Sequence, residues 1–537
     1  MEKNKICDES SESKRMIFLF LLFVVVLGIS FLPLGLDMSD AGYSLSRYHL
    51  FSGQGLDTNF LLSNKLGSML LRASNNALTV RVFSYVVYCL STVISLIVWH
   101  KFIDSNRSLF IAGIVSLLLA FAFPMEIIHN AISCFFLVLL QLFMAQYLRE
   151  HSPIWTLFLA CTVLLSTLFR ITNLVFFIPL FFIIYSIDKN HSLLFALYMF
   201  SFVLLSIIAI TLLGKSQKLI AMARFLFGLL LGETKYGVRA VAFHLFRDGL
   251  LIVCGVLFYE KVVVPREFNF FKEKRILTTF VLMITFIIVF FMSNYKQNIF
   301  MWKSISIRAL ITALVICYLH MPEEAKEMGQ LSFGLFFFVG FTSGNAIYYY
   351  DIAMILVMPI FVNWCFLSTK NTIKPLMLSV LLANLFLIVA FPYRDEMIIN
   401  LTENVQANGL RMIKTSKKKA ASLSELTFVL KKINWKECRL LTNGSIPMIS
   451  YLTGAYSVHN TTWPDLETYS FYKYENELQG LRHDLVIVMT KVNMVNNYWL
   501  PYKFDRAPTA KEKLISKEIE RRNLKIFYQD QYFVVWK

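Results

Sequence analysis

The stretch that decides the fold runs from Met16 to Tyr43. Its first part, Met16–Leu36, reads MIFLFLLFVVVLGISFLPLGL; its second is Asp37-Met38-Ser39-Asp40-Ala41-Gly42-Tyr43. An uncharged apolar run of this length can cross a bilayer as a helix. The preceding Lys14-Arg15 would also suit a signal peptide. Phe31-Leu32-Pro33-Leu34 offers no small-residue cleavage site, so the run reads as a retained first span. Two carboxylates then stand within a few residues of the membrane exit. Topology needs no acid there, because Lys and Arg set orientation and Asp and Glu contribute little. Asp37 and Asp40 thus have two readings. They cap a surface helix, since Asp is a favoured N-cap residue, or they are functional acids held at a membrane surface.

Composition places the whole chain in the same setting. Of 537 residues, 57% are hydrophobic, 50 are Phe, and only 16% are charged, well below the usual quarter for a soluble domain. This is the composition of a polytopic membrane protein. The net charge of +17 needs no nucleic acid, because basic residues flanking many spans and facing anionic lipids give the same total. No motif for RNA or DNA is visible. The eight cysteines include no C-x-x-C pair, and most lie in apolar runs, where they behave as small hydrophobes. Neither a disulfide framework nor a zinc cluster is expected.

After Leu36 comes a mixed segment, 37–79, too polar to span. Its apolar patches alternate with Asn59, Ser63, Asn64, Lys65 and Ser68, which suits short amphipathic helices along the interface. Further apolar runs follow at about 80–99, 108–123, 131–148, 153–169, 171–187, 192–213, 241–258, 276–292, 304–319, 331–347, 352–367 and 376–392. With the first, they make about 13 spans, several shorter than the roughly 20 residues of a full crossing. Counting Lys and Arg in the short loops puts the N-terminus in the cytoplasm and, with an odd number of spans, the C-terminus outside. The loop 214–240 runs against that bias, with Lys215, Lys218, Arg224, Lys235 and Arg239 on the outer side. The expected domains are therefore a membrane domain, 1–393, and a small C-terminal α/β domain, 394–537. In the latter, helices are expected around Leu423–Ile433, Met448–Leu452 and Lys511–Arg522, strands at Cys438–Thr442 and Asp484–Val488, and a hairpin at Phe527–Trp536.

The outer face collects the residues with chemistry. The first outer segment supplies Asp37, Asp40, Tyr43, Arg47, Tyr48 and His49. The second outer loop supplies Glu126 and His129, three apart. On a helix they would share one face, and both residue types can hold a divalent metal ion; an interfacial polar pair is the simpler reading. Arg170, Lys215, Lys218, Arg224, Arg239 and Arg247 are cations that topology does not explain. They suit a lipid-borne phosphate, or ordinary anionic lipids.

This arrangement resembles the GT-C superfamily of integral-membrane glycosyltransferases, which includes the protein O-mannosyltransferases and aminoarabinose transferases. The resemblance rests on an acid motif directly after the first span, here Asp40-Ala41-Gly42-Tyr43, with Ala41 where many members have Glu. It also rests on the long first outer loop, on Pro447–Gly454 and Asn460–Asp465, and on Gly344-Asn345 with Tyr348 to Asp351. It implies an inverting sugar transfer on the outer face of a bacterial inner membrane. The donor would be a polyprenyl-phosphate-linked sugar and the acceptor a glycolipid, polysaccharide or protein. Asp40 would be the general base, Asp37 its helper or a metal ligand, and Tyr43, Arg47 and the outer cations the substrate contacts. A transporter or flippase for lipid-linked saccharides ranks second, because such proteins carry charged or broken helices at mid-membrane and the runs here look mostly apolar. A polymerase or ligase of another membrane fold comes third, and a structural scaffold last.

Overall fold

A computed structural model gives the architecture over residues 2–50, 60–212, 238–258, 275–321, 323–342, 346–367, 374–466, 469–502 and 507–537. The chain divides into two compact units. One comprises Met1–Ile29, Tyr85–Ala122 and His129–Val389; the other comprises Ser30–Ser84, Phe123–Ile128 and Ala390–Lys537.

The first unit is helical. Each apolar run that it contains is helical over its described residues, most of them α throughout. Among the described residues of the chain, three helices are long and apolar enough to cross a membrane: Ala77–Trp99, Ile128–Glu150 and Tyr295–Leu319. Seven shorter apolar helices accompany them, among them Arg15–Phe31, Pro153–Phe169 and Pro375–Ala390. Among the described residues, the runs at 171–187, 331–347 and 352–367 contain 3-10 segments. After Arg170 the chain makes the 3-10 segment Ile171–Phe176 before Phe177–Ile187, whose first turn holds Pro179. Likewise Ala346–Ala353 gives way to a 3-10 turn, and Met358–Leu367 begins with Pro359 in its first turn. Proline has no N–H to donate and clashes with the carbonyl four residues back, so a continuous helix must stop before it.

The helices of this unit are less apolar inside than their sequence implies. Asp248, near the middle of Val238–Phe258, is buried and pairs at 3.0 Å with Arg308, near the middle of Tyr295–Leu319. Asp351 is buried as well, with the Asn384 amide 3.5 Å from its carboxylate.

The second unit joins the segment after the first apolar run to the C-terminal residues. Within it, α1 (Glu2–Phe31) ends, α2 (Asp40–Leu50) and α3 (Leu61–Ser74) follow, and α4 (Ala77–Trp99) begins. Two short helices thus stand in the segment where short helices are expected, and they pack against each other. The Gly67 backbone abuts the Tyr48 ring, and an added Cβ would sit 2.4 Å from it. The α2 helix also docks on Met448–Thr453: Met448 N donates to Met38 O at 3.2 Å, and Ser46 Oγ donates to Pro447 O at 2.6 Å.

Two charged clamps fix the segment that precedes α2. Arg81, on α4, donates to the carbonyls of Leu32, Leu34 and Gly35 at 2.8, 2.9 and 2.6 Å and pairs with Glu126 at 2.6 Å. A cation placed on free carbonyls just past a helix C-terminus satisfies them and complements the helix dipole. The second clamp is Asp395, which is fully buried. Its carboxylate accepts from Leu36 N, Thr415 Oγ1 and Lys419 Nζ, each at 2.7 Å, and from Glu396 N at 2.8 Å.

The strands at Cys438–Asn443, Asp484–Thr490, Ile526–Gln529 and Phe533–Trp536 lie where the sequence reading expects them; the short pair at Glu403–Asn404 and Lys414–Thr415 is not among those expectations. β1 (Glu403–Asn404) and β2 (Lys414–Thr415) form a small antiparallel pair. β3 (Cys438–Asn443) runs parallel to β4 (Asp484–Thr490). β6 (Phe533–Trp536) lies antiparallel to β4 and hairpins with β5 (Ile526–Gln529), giving the order β3-β4-β6-β5. Leu441, Leu485 and Ile487 from the parallel pair pack against Tyr474 and Leu478 of the helix Phe471–Gln479, and against Leu514 and Ile515 of the helix Ala510–Arg521. The latter starts with a capping box: Thr509 N donates to Glu512 Oε2 at 2.7 Å, and Glu512 N donates back to Thr509 Oγ1 at 3.2 Å.

Gly42 sits where α2 meets Met448. A Cβ there would lie 2.6 Å from the Met448 backbone nitrogen and 2.8 Å from its Cα, atoms that cannot rotate away. Gly42→Ala should therefore cost about 1–3 kcal/mol, read as a lowered thermal midpoint of the detergent-solubilised protein. Gly249→Ala, whose Cβ would meet nothing within 4 Å, is the control and should not lower it. Equal midpoints for the two variants would refute the contact.

Candidate active site

The site forms around the start of α2, inside the second unit. Asp37 accepts from Ser39 N at 3.0 Å, from Ser39 Oγ at 2.5 Å and from Ala41 N at 2.8 Å. These are donors at the first turn of a helix, which have no partner within it. The capping reading of Asp37 is thus a structural fact. Asp40, one turn on, does something else. Its carboxylate receives the Tyr393 hydroxyl at 2.6 Å and the Arg394 guanidinium at 2.9 Å, and its side chain is 28% exposed. Arg394 also lies 3.9 Å from Asp37 and donates to Ser39 Oγ. One guanidinium therefore bridges two acids and the hydroxyl between them.

The backbone aims that guanidinium. Arg394 has φ 54°, in the left-handed region that few non-glycine residues occupy. Asp395 N closes the turn onto Pro392 O at 3.2 Å, and the buried Asp395 carboxylate holds it. Strain of this kind persists where the surroundings over-determine it, and it collects at functional sites. Phe123 stacks on the Tyr393 ring with centroids 5.7 Å apart.

Burial dominates the electrostatics of the pair. It lifts the Asp37 carboxyl from 3.8 to about 6; Arg394 opposes the rise and Asp40 adds to it. Burial, with the neighbouring acids, also holds the Tyr393 phenol well above the usual tyrosine range, so that at neutral pH it remains a donor toward Asp40. The site presents one buried acid that titrates near neutrality, one accessible carboxylate, and a cation shared by both.

The other expected contacts are distributed differently. Tyr43 meets Trp463 edge to face at 5.8 Å. Arg47 is buried, donates to Asn64 Oδ1 at 2.7 Å and lies 4.8 and 4.5 Å from the Tyr43 and Phe60 ring centres, so it is part of the packing beneath α2. Arg170, in the first unit, is buried and donates to Thr342 O at 2.7 Å and Thr172 Oγ1 at 3.1 Å. Lys215, Lys218 and Arg224 lie outside the described residues, as does the side chain of Arg239 on Val238–Phe258. Glu126 precedes the helix Ile128–Glu150 instead of sharing a helical face with His129, and its carboxylate is held by Arg81. His129 is buried in that helix. Among the described residues, no three His, Cys, Asp or Glu side chains gather as a metal site.

Arg394 and Tyr393 were not singled out from the sequence, although a signal was there. Phe391-Pro392-Tyr393-Arg394-Asp395 ends the last apolar run as Asp37–Tyr43 ends the first.

The raised Asp37 carboxyl has a stability consequence. Between about pH 4 and 6 the folded protein keeps a proton that the unfolded chain releases. The stability this proton confers is full below about pH 4 and is lost as pH rises through about 6. From pH 4 to 7 the thermal midpoint of the wild type should fall relative to that of Asp37→Asn. Parallel curves for the two proteins would refute the assignment.

Comparison with known proteins finds no matching family model, no matching curated protein and no matching solved structure.

Proposed function

We propose that this chain is a membrane glycosyltransferase that moves a sugar from a polyprenyl-phosphate carrier to an acceptor hydroxyl. The observation that carries the reading is Asp40: a part-exposed carboxylate on the first turn of a helix, directly after the first apolar helix, oriented by Tyr393 and Arg394. A hydroxyl is a poor nucleophile until a base takes its proton. Asp40 takes that proton as the acceptor oxygen attacks the anomeric carbon. The bond from that carbon to the carrier phosphate breaks, its electron pair leaves on the phosphate, and the configuration inverts. General-base catalysis of this kind is worth 10²–10⁴ in rate.

Arg394 is the cation nearest the reacting carboxylate and suits the charge that develops on the departing phosphate. Asp37, buried against it, sets how much of that positive charge remains free. About 13 spans in a bacterial inner membrane, a cytoplasmic N-terminus and an extracytoplasmic C-terminal domain complete the proposal. The acceptor is a glycolipid, an envelope polysaccharide or a protein. The support is the apolar helices, the position of the acids in the chain and the resemblance in the Asp40–Tyr43 motif.

The test is sugar transfer by the full chain in proteoliposomes. The donor would be the lipid-linked sugars that accumulate in cells lacking the protein. Asp40→Asn should lose at least about 100-fold in rate at an unchanged thermal midpoint. Arg394→Lys should lose about tenfold, because an ammonium cannot reproduce the planar fork that reaches two acids. Full activity in both Asp40→Asn and Asp37→Asn would sink the mechanism.

One observation favours the second reading, a transporter or flippase for the same lipids. Ionisable groups inside spanning helices mark transport paths, and the Asp248–Arg308 pair lies within two apolar helices. Translocation of the lipid-linked sugar that survives Asp40→Asn and fails in Asp248→Asn would select it.

A further inference from the structure

The second unit holds a concentration of polar atoms that its own hydrogen bonds do not explain. Along residues 459–466 and 469–474, above the carboxyl end of β3, five buried side-chain atoms have no hydrogen-bond partner among the described residues. They are His459 Nε2, Thr462 Oγ1, Trp463 Nε1, Asp465 Oδ1 and the Tyr474 hydroxyl. His459, Thr462, Trp463 and Tyr474 are all more than nine-tenths buried. Buried polar atoms are almost always paired, and each one left unmade costs free energy. Five within one short stretch require a reason.

Contacts link His459, Tyr474 and the backbone around Asp465. The His459 and Tyr474 rings stack at 4.2 Å. Lys511 lies 5.4 Å from the Tyr474 ring centre and donates to the carbonyls on either side of Asp465, Pro464 O at 2.7 Å and Leu466 O at 3.0 Å. Asp465 Oδ2 is seated on Gly444 N and Ser445 N, at 2.9 and 2.8 Å, where β3 ends. The carboxyl ends of parallel strands are where open α/β sheets bind their ligands. Thr461, Asp465 and Leu466 are part-exposed and form the approach to the cluster. On its other side, Trp463 touches Tyr43 of the acid motif.

The kinds of atom select the ligand. Glu477 accepts at His459 Nδ1, 3.0 Å away, so that nitrogen carries the hydrogen and Nε2 of the neutral ring presents a lone pair. Asp465 Oδ1 presents another. Trp463 Nε1 can only donate, and the two hydroxyls do either. An anion, which only accepts, would meet two lone pairs. A ligand made of hydroxyl groups can answer all five, and its C–H face suits Trp463.

We infer that these five groups form a saccharide-binding subsite for a neutral, polyhydroxylated ring, placed to present a sugar hydroxyl beside the Asp40 motif. The inference deepens the transferase reading and rests on it for the role of the bound sugar, though not for the binding itself.

The experiment uses the full chain in detergent. Binding of the methyl glycosides of glucose, galactose, mannose and arabinose is followed by saturation-transfer NMR, beside the thermal midpoint of the unliganded protein. At least one glycoside should bind, and Tyr474→Phe and Thr462→Val should each weaken it about tenfold. In the unliganded protein both variants should keep or raise the midpoint, because each removes a polar atom with no partner among the described residues. Failure of all four glycosides to bind would overturn the inference, as would undiminished binding in both variants. A lowered midpoint in both with binding retained would also overturn it, since the hydroxyls would then belong to a hydrated core. Asp40→Asn separates this inference from the transferase reading. Glycosides that bind Asp40→Asn normally while transfer is lost uphold both. Absence of transfer by the wild type with Tyr474-dependent binding upholds the subsite and sinks the transferase.

Discussion

The second unit depends on the buried pair between Asp395 and Lys419, both side chains fully removed from solvent at 2.7 Å. Taking two charges out of water costs several kcal/mol each, and attraction offsets that only when every remaining valence is also satisfied. Here it is. Asp395 receives two backbone amides and a hydroxyl besides the ammonium, while Lys419 reaches Asn497 O at 2.6 Å and lies 4.8 Å from the centre of the Trp499 ring. One of those amides is Leu36, the last residue of the first apolar run. The pair thereby ties the exit of the first helix to β2, to the helix Lys417–Leu430 and to the loop around Asn497. Loss of one partner from such a pair costs about 3–5 kcal/mol. The acids of the candidate site begin one residue after Leu36 and the cation precedes Asp395 by one, so the same pair sets the distance between them.

Two neighbouring carboxylates are thus given different work by their surroundings. Asp37 spends its oxygens on amides and a hydroxyl at the start of α2 and is buried; Asp40 keeps an accessible edge. Capping falls to Asp37, while Asp40 holds the accessible carboxylate. Gly42 and Tyr43, which look like part of a chemical motif, have packing reasons as well. The first admits the Met448 backbone and the second carries Trp463 and Arg47.

What was legible in the sequence was local. Apolar runs foretold helices, and short strand-like runs foretold β3, β4 and the terminal hairpin, because those patterns act within a few residues. The helix Phe471–Gln479 escaped notice, since Tyr474 and Leu478 are its only fully buried residues and leave a weak apolar stripe. Arg394 and Arg81 escaped as partners for a different reason. Their bonds span tens to hundreds of residues, and no periodicity reports a contact between Asp40 and Arg394. Sorting cations by side of the membrane also gave weight to Arg47 and Arg170, whose guanidinium groups turn out to be spent on buried neighbours. The charges within the helices of the first unit were hidden by averaging: one Asp in a run of Leu, Ile and Val barely moves the hydropathy of the run, yet it must find an Arg when buried.

The left-handed turn at Arg394 carries a constraint on chain length. It sends three consecutive side chains in chosen directions: Tyr393 and Arg394 toward the acids, Asp395 into the core against Lys419. Deletion or insertion of a single residue beside it would move each side chain into its neighbour's place. Shifted one way, the Asp395 carboxylate would face Asp37 and Asp40; shifted the other way, the Arg394 guanidinium would face the buried Lys419 ammonium, so either shift opposes like charges at one end. Spacing is therefore as binding as identity between Phe391 and Glu396, and variation in this protein should be found as substitutions elsewhere before it is found as a change of length here.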